Sequence, residues 1–490
     1  MDETNGKKRV AIACQGGGSH TAFTAGALKK ILDRPEYDIV ALSGTSGGAI
    51  CAFLAWYALL NGERHKAVEM LESFWKDISA SRAGDALMND LLIQTRRALE
   101  EGVGVPPANP YDFPYSIGST YAQELLEKSI RSKLEESIEE RVKLASSDVR
   151  LYVGAVSVLT GWFRTFRSHK EENGEAVFND SEDDGLSIES ILASAAVPTL
   201  FRAVRTGKEV YRGVSGSRPP YIDEGVYWDG LYAQNPPVRN LTELKPDEIW
   251  LLQITPEEID REPTTAAEIS DRRDELAGNL SLDQELYFIR KINDIVRRAE
   301  DGTDHAFLVV GDKRFKVIKV RRIEMTIPLH SSSKVNRNQA FLKRLIEHGE
   351  ERAGRFLEII PFQLRFETAW EESTRTGDER AVMDLFADDA VVRLIPPSAP
   401  TGYRLEYTKE RLRDAIKWCL ERKFYLDRSR NYRVEGEEMA FWILAVSDHF
   451  RTPVKASVRA LVKDEKIERL ELYPLTLETV EELVKTIERS

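Results

Sequence analysis

Cysteine is scarce in this chain. Three residues in 490, Cys14, Cys51 and Cys419, are too few and too scattered for a disulfide framework. Cys14 and Cys51 fall in apolar runs and are expected as small buried hydrophobes in a reducing interior. Long apolar runs are missing as well. The longest, Ala49 to Leu60, has twelve residues, too short to span a bilayer and well suited to a core helix. Met1 to Gly6 carries nothing like the apolar stretch of a signal peptide. These features predict a cytoplasmic protein that meets any lipid from the aqueous side, peripherally at a membrane surface. An excess of positive charge is also lacking: the net charge is −12 and no basic patch is interleaved with aromatics, which argues against a nucleic-acid partner. Lys7-Lys8-Arg9 and Arg321-Arg322 read as solvated strand ends. What remains is 42% apolar content over a length sufficient for two or three domains.

The informative segments are two glycine-rich turns near the start. Val10-Ala11-Ile12-Ala13-Cys14 is strand-like and breaks into Gln15-Gly16-Gly17-Gly18-Ser19. A helical stretch follows, then strand-like Asp38-Ile39-Val40-Ala41-Leu42, which ends in Gly44-Thr45-Ser46-Gly47-Gly48 and runs directly into the apolar segment. A serine with glycine at both second neighbours, between strand and helix, has the pattern of a nucleophile elbow. Gly44 and Gly48 tolerate a strained turn and leave room around the hydroxyl. Gly16, Gly17 and Gly18 can direct backbone N–H groups at an oxyanion, with Gly47 at the helix start assisting. Two plainer readings stand beside this one: Ser46 as an ordinary helix N-cap, and the glycine triplet as a simple turn or phosphate loop. The phosphate patterns fit poorly. A dinucleotide loop wants a small residue where Thr21 stands and an acid where Leu42-Ser43 meet glycine, and no Gly-Lys-Ser/Thr follows.

A serine hydroxyl needs a partner to take its proton. Of the seven histidines, His305, His330 and His348 sit in charged or strand-like contexts and read as surface or packing residues. Asp229, in Val226-Tyr227-Trp228-Asp229-Gly230-Leu231-Tyr232, is the better candidate. Between aromatics and a glycine, its carboxyl can be desolvated, which raises its pKa and strengthens it as a base. The plain alternative is an Asp-Gly turn.

Gly16-Gly17-Gly18, Gly44-Thr45-Ser46-Gly47-Gly48 and Asp229-Gly230, in this order and spacing, resemble the patatin-like phospholipase family. Ile191-Leu192-Ala193-Ser194-Ala195-Ala196-Val197-Pro198 resembles the family's helix before the aspartate loop, and Gly278 to Ile289 resembles a later helix of its bacterial members. The resemblance covers about Lys8 to Ile360. It implies a Ser46–Asp229 dyad without histidine, a glycine-loop oxyanion hole, and hydrolysis of acyl esters of phospholipids and related lipids with no metal or cofactor. Two residues depart from the pattern. His20-Thr21 stand where the family usually has Lys or Arg and then Gly, so the loop holds its anion with less positive charge or with a titratable one. Leu231 stands where a small residue is usual. These departures motivate a rival reading, an inactive lipid- or acyl-binding scaffold; a second rival is a hydrolase of a non-phospholipid ester such as a storage polyester.

Strands alternating with helices predict an α/β domain over residues 1–360, with a largely parallel central sheet covered by helices on both faces. A charged helical cap is expected over about 257–300. The turn-dense segment 101–115, with Val103, Val105, Tyr111, Phe113 and Tyr115, is either a lid over the site or a packed surface loop. A strand over Phe315–Met325 and a helix over Asn336–Ile359 close the domain, and Pro361 marks a break. From 362 to 490 the pattern gives a helix to Thr374, Gly377-Asp378, a helix over 408–423 and four strand-like stretches from Tyr432 to Tyr473, an α+β cone. Trp370, Gly377-Asp378 and Leu385 to Val391 resemble the nuclear transport factor 2-like (SnoaL-like) fold. Trp370, Trp418, Tyr432, Trp442 and His449 are candidates for a pocket lining, though aromatics on a curved sheet more often form core. Dimerisation or ligand sensing is favoured for this domain over a second catalytic activity.

Overall fold

The fold is described from a computed structural model, for residues 7–101, 115–169, 185–198, 200–211, 221–257, 259, 261–300, 315–395, 405–421, 424–426, 433–435, 438–445 and 454–474. Val103, Val105, Tyr111, Phe113, Tyr432, His305 and His449 lie outside the described residues. The chain divides into two compact units, Met1–Ile318 with Glu324–Ala353, and Lys319–Ile323 with Gly354–Ser490.

The first unit opens as β1 (Lys8–Cys14), α1 (Ala22–Leu32), β2 (Tyr37–Gly44) and α2 (Gly47–Leu59). Helices α3 (Arg64–Ile78), α4 (Ala83–Glu100), α5 (Tyr115–Arg131) and α6 (Ile138–Lys143) follow. Then come β3 (Arg150–Ser157), β4 (Phe163–Arg167), α7 (Ile188–Ser194), β5 (Val204–Tyr211), β6 (Tyr221–Asp229), β7 (Glu248–Gln253) and α8 (Ala266–Glu300). The strands run in the order β5-β6-β3-β2-β1-β7, with β4 on β3. From β3 to β7 the pairing is parallel, whereas β4 and β6 join β3, and β5 joins β6, in antiparallel fashion. The centre is therefore largely parallel, as expected. The β5–β6 hairpin was not legible beforehand, because its polar, glycine-containing strands lack the unbroken apolar runs of the centre.

β1 shows why those runs predict their place. Val10 to Cys14 are all buried, without alternation, because a central parallel strand is covered on both faces. Helix α2 is likewise buried all round from Gly48 to Leu59, as an apolar helix must be.

The strand β8 (Lys319–Glu324) precedes α9 (Gln339–Thr376). Here one expectation fails: the helix runs through Pro361 instead of ending before it. Proline costs one backbone hydrogen bond and strains the preceding turn, but Phe356, Leu357, Ile359, Ile360 and Phe362 around it are all buried, and that burial holds the helix together.

In the second unit, α10 (Arg380–Met383), β9 (Phe386–Leu394), β10 (Leu405–Thr408), α11 (Lys409–Glu421), β11 (Phe424–Leu426), β12 (Arg433–Glu435), β13 (Glu438–Ala445), β14 (Val454–Lys463) and β15 (Lys466–Pro474) follow. The sheet order is β10-β9-β15-β14-β13-β11, with β12 on β13 and only β9–β15 parallel among the described pairs. Two strands thus enter the sheet before α11, not after it. Trp370 is buried and stacks on Phe366 at 5.9 Å, and Trp418 is buried too; both serve as core. Arg321 is fully buried, where Gln363 and Glu367 accept its guanidinium protons.

Two glycines let α1 and the start of α9 approach closely. A Cβ on Gly26 would run into the Ile346 carbonyl oxygen, and one on Gly349 into that of Phe23. Backbone atoms cannot yield as a side-chain tip can, so Gly349→Ala is expected to cost about 1–3 kcal/mol or more. Thermal denaturation of the full chain measures this, and an unchanged melting temperature would refute the packing.

Candidate active site

Ser46 follows the last residues of β2 and leads directly into α2, with φ 56° and ψ −132°. A non-glycine residue in this region stores about 1–3 kcal/mol of strain. The turn persists because its surroundings leave no alternative. A Cβ on Gly44 would lie 2.6 Å from the Ala49 Cα, and one on Gly48 would strike the carbonyl oxygens of Cys14 and Gln15. The Ser46 N–H donates to Ser194 Oγ (3.0 Å), which itself donates to the Gly154 carbonyl (2.6 Å), tying the turn to α7 and β3. The hydroxyl of Ser46 makes no capping bond to α2, so it is not spent as an N-cap.

Asp229 ends β6, opposite Ala155 of β3, and is fully buried. Its Oδ1 accepts the Leu231 N–H at 2.8 Å, whereas Oδ2 makes no hydrogen bond of ordinary geometry among the described residues. Burial drives its pKa up from 3.8 to about 7, against the stabilising influence of the Ser46 hydroxyl, the Leu231 N–H and the Lys334 charge. The Asp229 loop rests on the Ser46 turn. A Cβ on Gly230 would strike the Gly154 carbonyl and lie 3.0 Å from Thr45 Cγ2, while Thr45 Oγ1 donates to the Gln234 carbonyl at 2.6 Å. Gln234 is a hub, since its Oε1 accepts from Thr165 Oγ1 (3.0 Å) and its Nε2 donates to Glu285 Oε1 (2.7 Å). Glu285, on α8, also accepts the N–H groups of Val238 and Arg239, and burial raises its pKa.

The glycine loop leaves the end of β1 and turns into the short helix Gly18–Thr21, with Gly18 at φ 58°. Its N–H groups divide into two kinds. Gly16 donates to Asn235 Oδ1 at 2.6 Å and is thereby committed. The N–H groups of Gly17, Gly18 and Gly47 meet no acceptor among the described residues. Gly47 packs on this loop, since a Cβ there would run into Thr21 Oγ1 and lie 2.9 Å from the Gly18 carbonyl. Thr21 Oγ1 in turn donates to the Gly18 carbonyl at 2.6 Å. Gln15 fixes the loop's entry by accepting the Ile254 and Thr255 N–H groups and donating to Asn279 Oδ1 at 2.8 Å.

The two departures now have physical meaning. Burial, then the Lys334 charge, lowers the His20 pKa to about 3, and its Nε2 lies 2.7 Å from Ser333 Oγ. His20 is therefore neutral at ordinary pH, which removes the expectation of a titratable charge at the loop. The Leu231 side chain packs toward α8, with its Cδ1 3.4 Å from a Cβ placed on Gly278. None of the described histidines hydrogen-bonds to Ser46 or Asp229. Among the described residues no cluster of acids, histidines and cysteines could hold a metal ion. Ser194, Gln234, Asn235, Asn279, Glu285 and Lys334 were not singled out from the sequence. Isolated polar residues give no periodic signal, and only the folded chain shows which ones converge.

The mixed α/β sheet thus places a strained serine after β2 and a buried aspartate at the end of β6, two strands that flank β3. Residues 12–242 match the patatin-like phospholipase family. No curated protein matches the chain. Solved structures that it resembles cover about a quarter of it. An NTF2-like protein of unknown function from Cytophaga hutchinsonii aligns at 14% identity over 24% of this chain and 91% of its own, with TM-score 0.18. An NTF2-like protein from Anabaena variabilis aligns at 14% identity over 24% and 89%, with TM-score 0.19. A putative polyketide cyclase from Sinorhizobium meliloti aligns at 20% identity over 22% and 92%, with TM-score 0.17.

The raised pKa of Asp229 has a stability consequence. Between about pH 4 and 7 the unfolded carboxyl has lost its proton while the folded one keeps it, so folding stability falls as pH rises through that window. Asp229→Asn, which carries no charge, is expected to lack this decline and to be more stable than wild type at pH 8. Melting curves of both proteins at pH 5 and pH 8 measure it, and parallel curves would contradict the buried, protonated state.

Proposed function

We propose that the patatin-like domain is a serine lipid acyl hydrolase of the phospholipase A or lysophospholipase type, with Ser46 as nucleophile and Asp229 as base. The observation that carries this reading is the meeting of three features. They are a serine held at φ 56°, a fully buried carboxyl with a pKa of about 7 on which its hydroxyl acts, and three uncommitted backbone N–H groups beside them.

The chemistry follows from those groups. Asp229 takes the hydroxyl proton as Ser46 Oγ bonds to the ester carbonyl carbon, and the carbonyl π electrons become the oxyanion. The N–H groups of Gly17, Gly18 and Gly47 receive that charge, and each such donor contributes about 10²–10³ in rate where it is well aimed. Collapse breaks the bond to the alcohol, which leaves with the proton from Asp229 and gives an acyl-serine. Water then attacks with Asp229 again as base, releasing the fatty acid and restoring the hydroxyl. No step calls for a metal or an imidazole. A carboxyl in water is far too acidic to share the proton of an alcohol. One held near pKa 7 by burial is closer to the range where general-base transfer is efficient. Lys334 favours the ionised form of Asp229, and so moderates what burial does.

Ser46→Ala and Asp229→Asn are each expected to lower release of fatty acid from a lysophospholipid or a short p-nitrophenyl ester by about 10³-fold or more. A fluorophosphonate probe is expected to label wild type stoichiometrically at Ser46 and to leave the Ser46→Ala protein unlabelled. Because the base must be ionised, kcat/KM should rise with pH and level off above an inflection near 7. Full activity of the pure Ser46→Ala protein would remove the mechanism. Absence of labelling in wild type would favour a lipid-binding scaffold, and turnover restricted to polyester would move the substrate class.

A further inference from the structure

The acyl transfer described above moves one negative charge over a short path. The charge stands on Asp229 while the base is ionised. Once the serine has attacked, it stands on the ester oxygen, facing the N–H groups of Gly17, Gly18 and Gly47. Net charge at the site is unchanged, so a cation near both ends of the path stabilises the charge throughout. The glycine loop supplies none. Gly16 to Ser19 carry no charge, and His20 is buried and neutral. The Ser333 hydroxyl donates to the His330 carbonyl at 2.6 Å, so His20 Nε2, 2.7 Å from Ser333 Oγ, is the donor of that pair and its N–H is spent there.

A cation reaches this place from a segment more than 300 residues later. The short helix Ser331–Val335 packs on the short helix Gly18–Thr21 of the glycine loop. A Cβ placed on Gly18 would lie 2.3 Å from the Lys334 carbonyl oxygen and 3.4 Å from the Lys334 Cβ, so this half-buried side chain starts against the loop. Its charge acts on groups of three elements: His20 on the loop, Asp229 at the end of β6 and Glu275 on α8.

The segment that carries Lys334 is fixed at both ends. The Ser331 N–H donates to Asp271 Oδ1 of α8 at 3.0 Å, and Asp271 Oδ2 lies 3.1 Å from His330 Nδ1. Beyond Lys334, Asn89 of α4 donates to the Val335 carbonyl at 2.7 Å and accepts the Arg337 N–H at 2.8 Å. The neighbouring acids have partners of their own: Asp85 on α4 holds the Arg337 guanidinium, and Glu275 pairs with Arg272 at 3.1 Å. A cation on a segment arranged in advance needs no reorganisation when charge develops, which is what stabilisation of a transition state requires.

We propose that Lys334 is a positioning residue for the acyl transfer, the cation that favours ionised Asp229 and then holds the negative charge as it passes to the oxyanion at Gly17, Gly18 and Gly47. The role rests on the reading of Ser46 and Asp229 as nucleophile and base. The proton still passes from Ser46 Oγ to Asp229, and Lys334 gives up none of its own. It contributes the charge that neutral His20 does not.

The test is the pH dependence of hydrolysis of a soluble short-chain ester by the full chain, for wild type, Lys334→Met and Lys334→Arg, with Ser46→Ala as the blank. In Lys334→Met the inflection of kcat/KM should move from near 7 to about 8, and the plateau above it should fall about tenfold or more. Lys334→Arg keeps the charge and should restore both, with a plateau within about threefold of wild type, which a merely structural role would not produce. An unmoved inflection in Lys334→Met, or a Lys334→Arg protein as impaired as Lys334→Met, would overturn the proposal. A moved inflection with an undiminished plateau would confine Lys334 to Asp229 and overturn its part at the oxyanion. Melting curves between pH 5 and pH 9 give a readout without turnover. The fall in stability tied to Asp229 should continue to higher pH in Lys334→Met than in wild type, and should be absent when Asp229→Asn is added. Full activity of Ser46→Ala would remove the dyad, while the melting curves would still show whether Lys334 acts on Asp229; coincident pH dependence in wild type and Lys334→Met would overturn that action.

Discussion

Much of the first unit's polar architecture serves one unfavourable circumstance: a carboxyl group kept out of water without a paired cation of its own. Asp229 is fully buried, one of its oxygens lacks a hydrogen bond of ordinary geometry, and its pKa stands near 7 in consequence. A group in that condition would relax toward solvent if its loop were free. It is held in place by contacts that each have a named partner. Gly230 is pressed on Gly154, Thr45 is bonded to the Gln234 carbonyl, and the Gln234 side chain is bonded to Thr165 and Glu285. The strain at Ser46 is held the same way, through Ser194 and Gly154. Folding free energy is thereby stored in a desolvated carboxyl and a strained serine, the kind of local cost that proteins accept where chemistry is done.

The glycine loop works under a related constraint. Three N–H groups without acceptors among the described residues are costly unless something occupies them, and they remain in register because the neighbouring N–H is committed to Asn235 and the neighbouring side chains are bonded. His20 and Thr21 take part in that framework. Thr21 closes the turn on Gly18, and a neutral His20 joins the loop to Ser333. Positive charge in this region comes from Lys334, more than 300 residues later in the chain, whose field reaches both His20 and Asp229.

Helix α8 connects the site with the surface. Its buried polar residues align the loops, and its outward side carries exposed apolar groups. The same charged stretch reads in the sequence as a solvated cap, since its content of acids and bases is high throughout. The distinction lies in the exposed apolar residues Leu276, Leu280 and Tyr287, which the surrounding charge hides in the sequence.

Local sequence determined a good deal here. The apolar runs of β1, β2 and β7 specify central parallel strands, because only unbroken hydrophobicity suits a strand buried on both faces. Gly44, Gly48 and the Gly16–Gly18 loop mark turns where a side chain would collide with backbone, and Ser46 and Asp229 stand out by their immediate neighbours. Other features were settled only by the tertiary structure, for physical reasons that no short segment contains. Pro361 remains inside a helix because burial on both sides outweighs one missing hydrogen bond. Gly16 loses its free N–H to Asn235, more than 200 positions away. His20 stays neutral, and Asp229 reaches a pKa near 7, because exclusion of water is a property of the assembled surroundings and not of the residue.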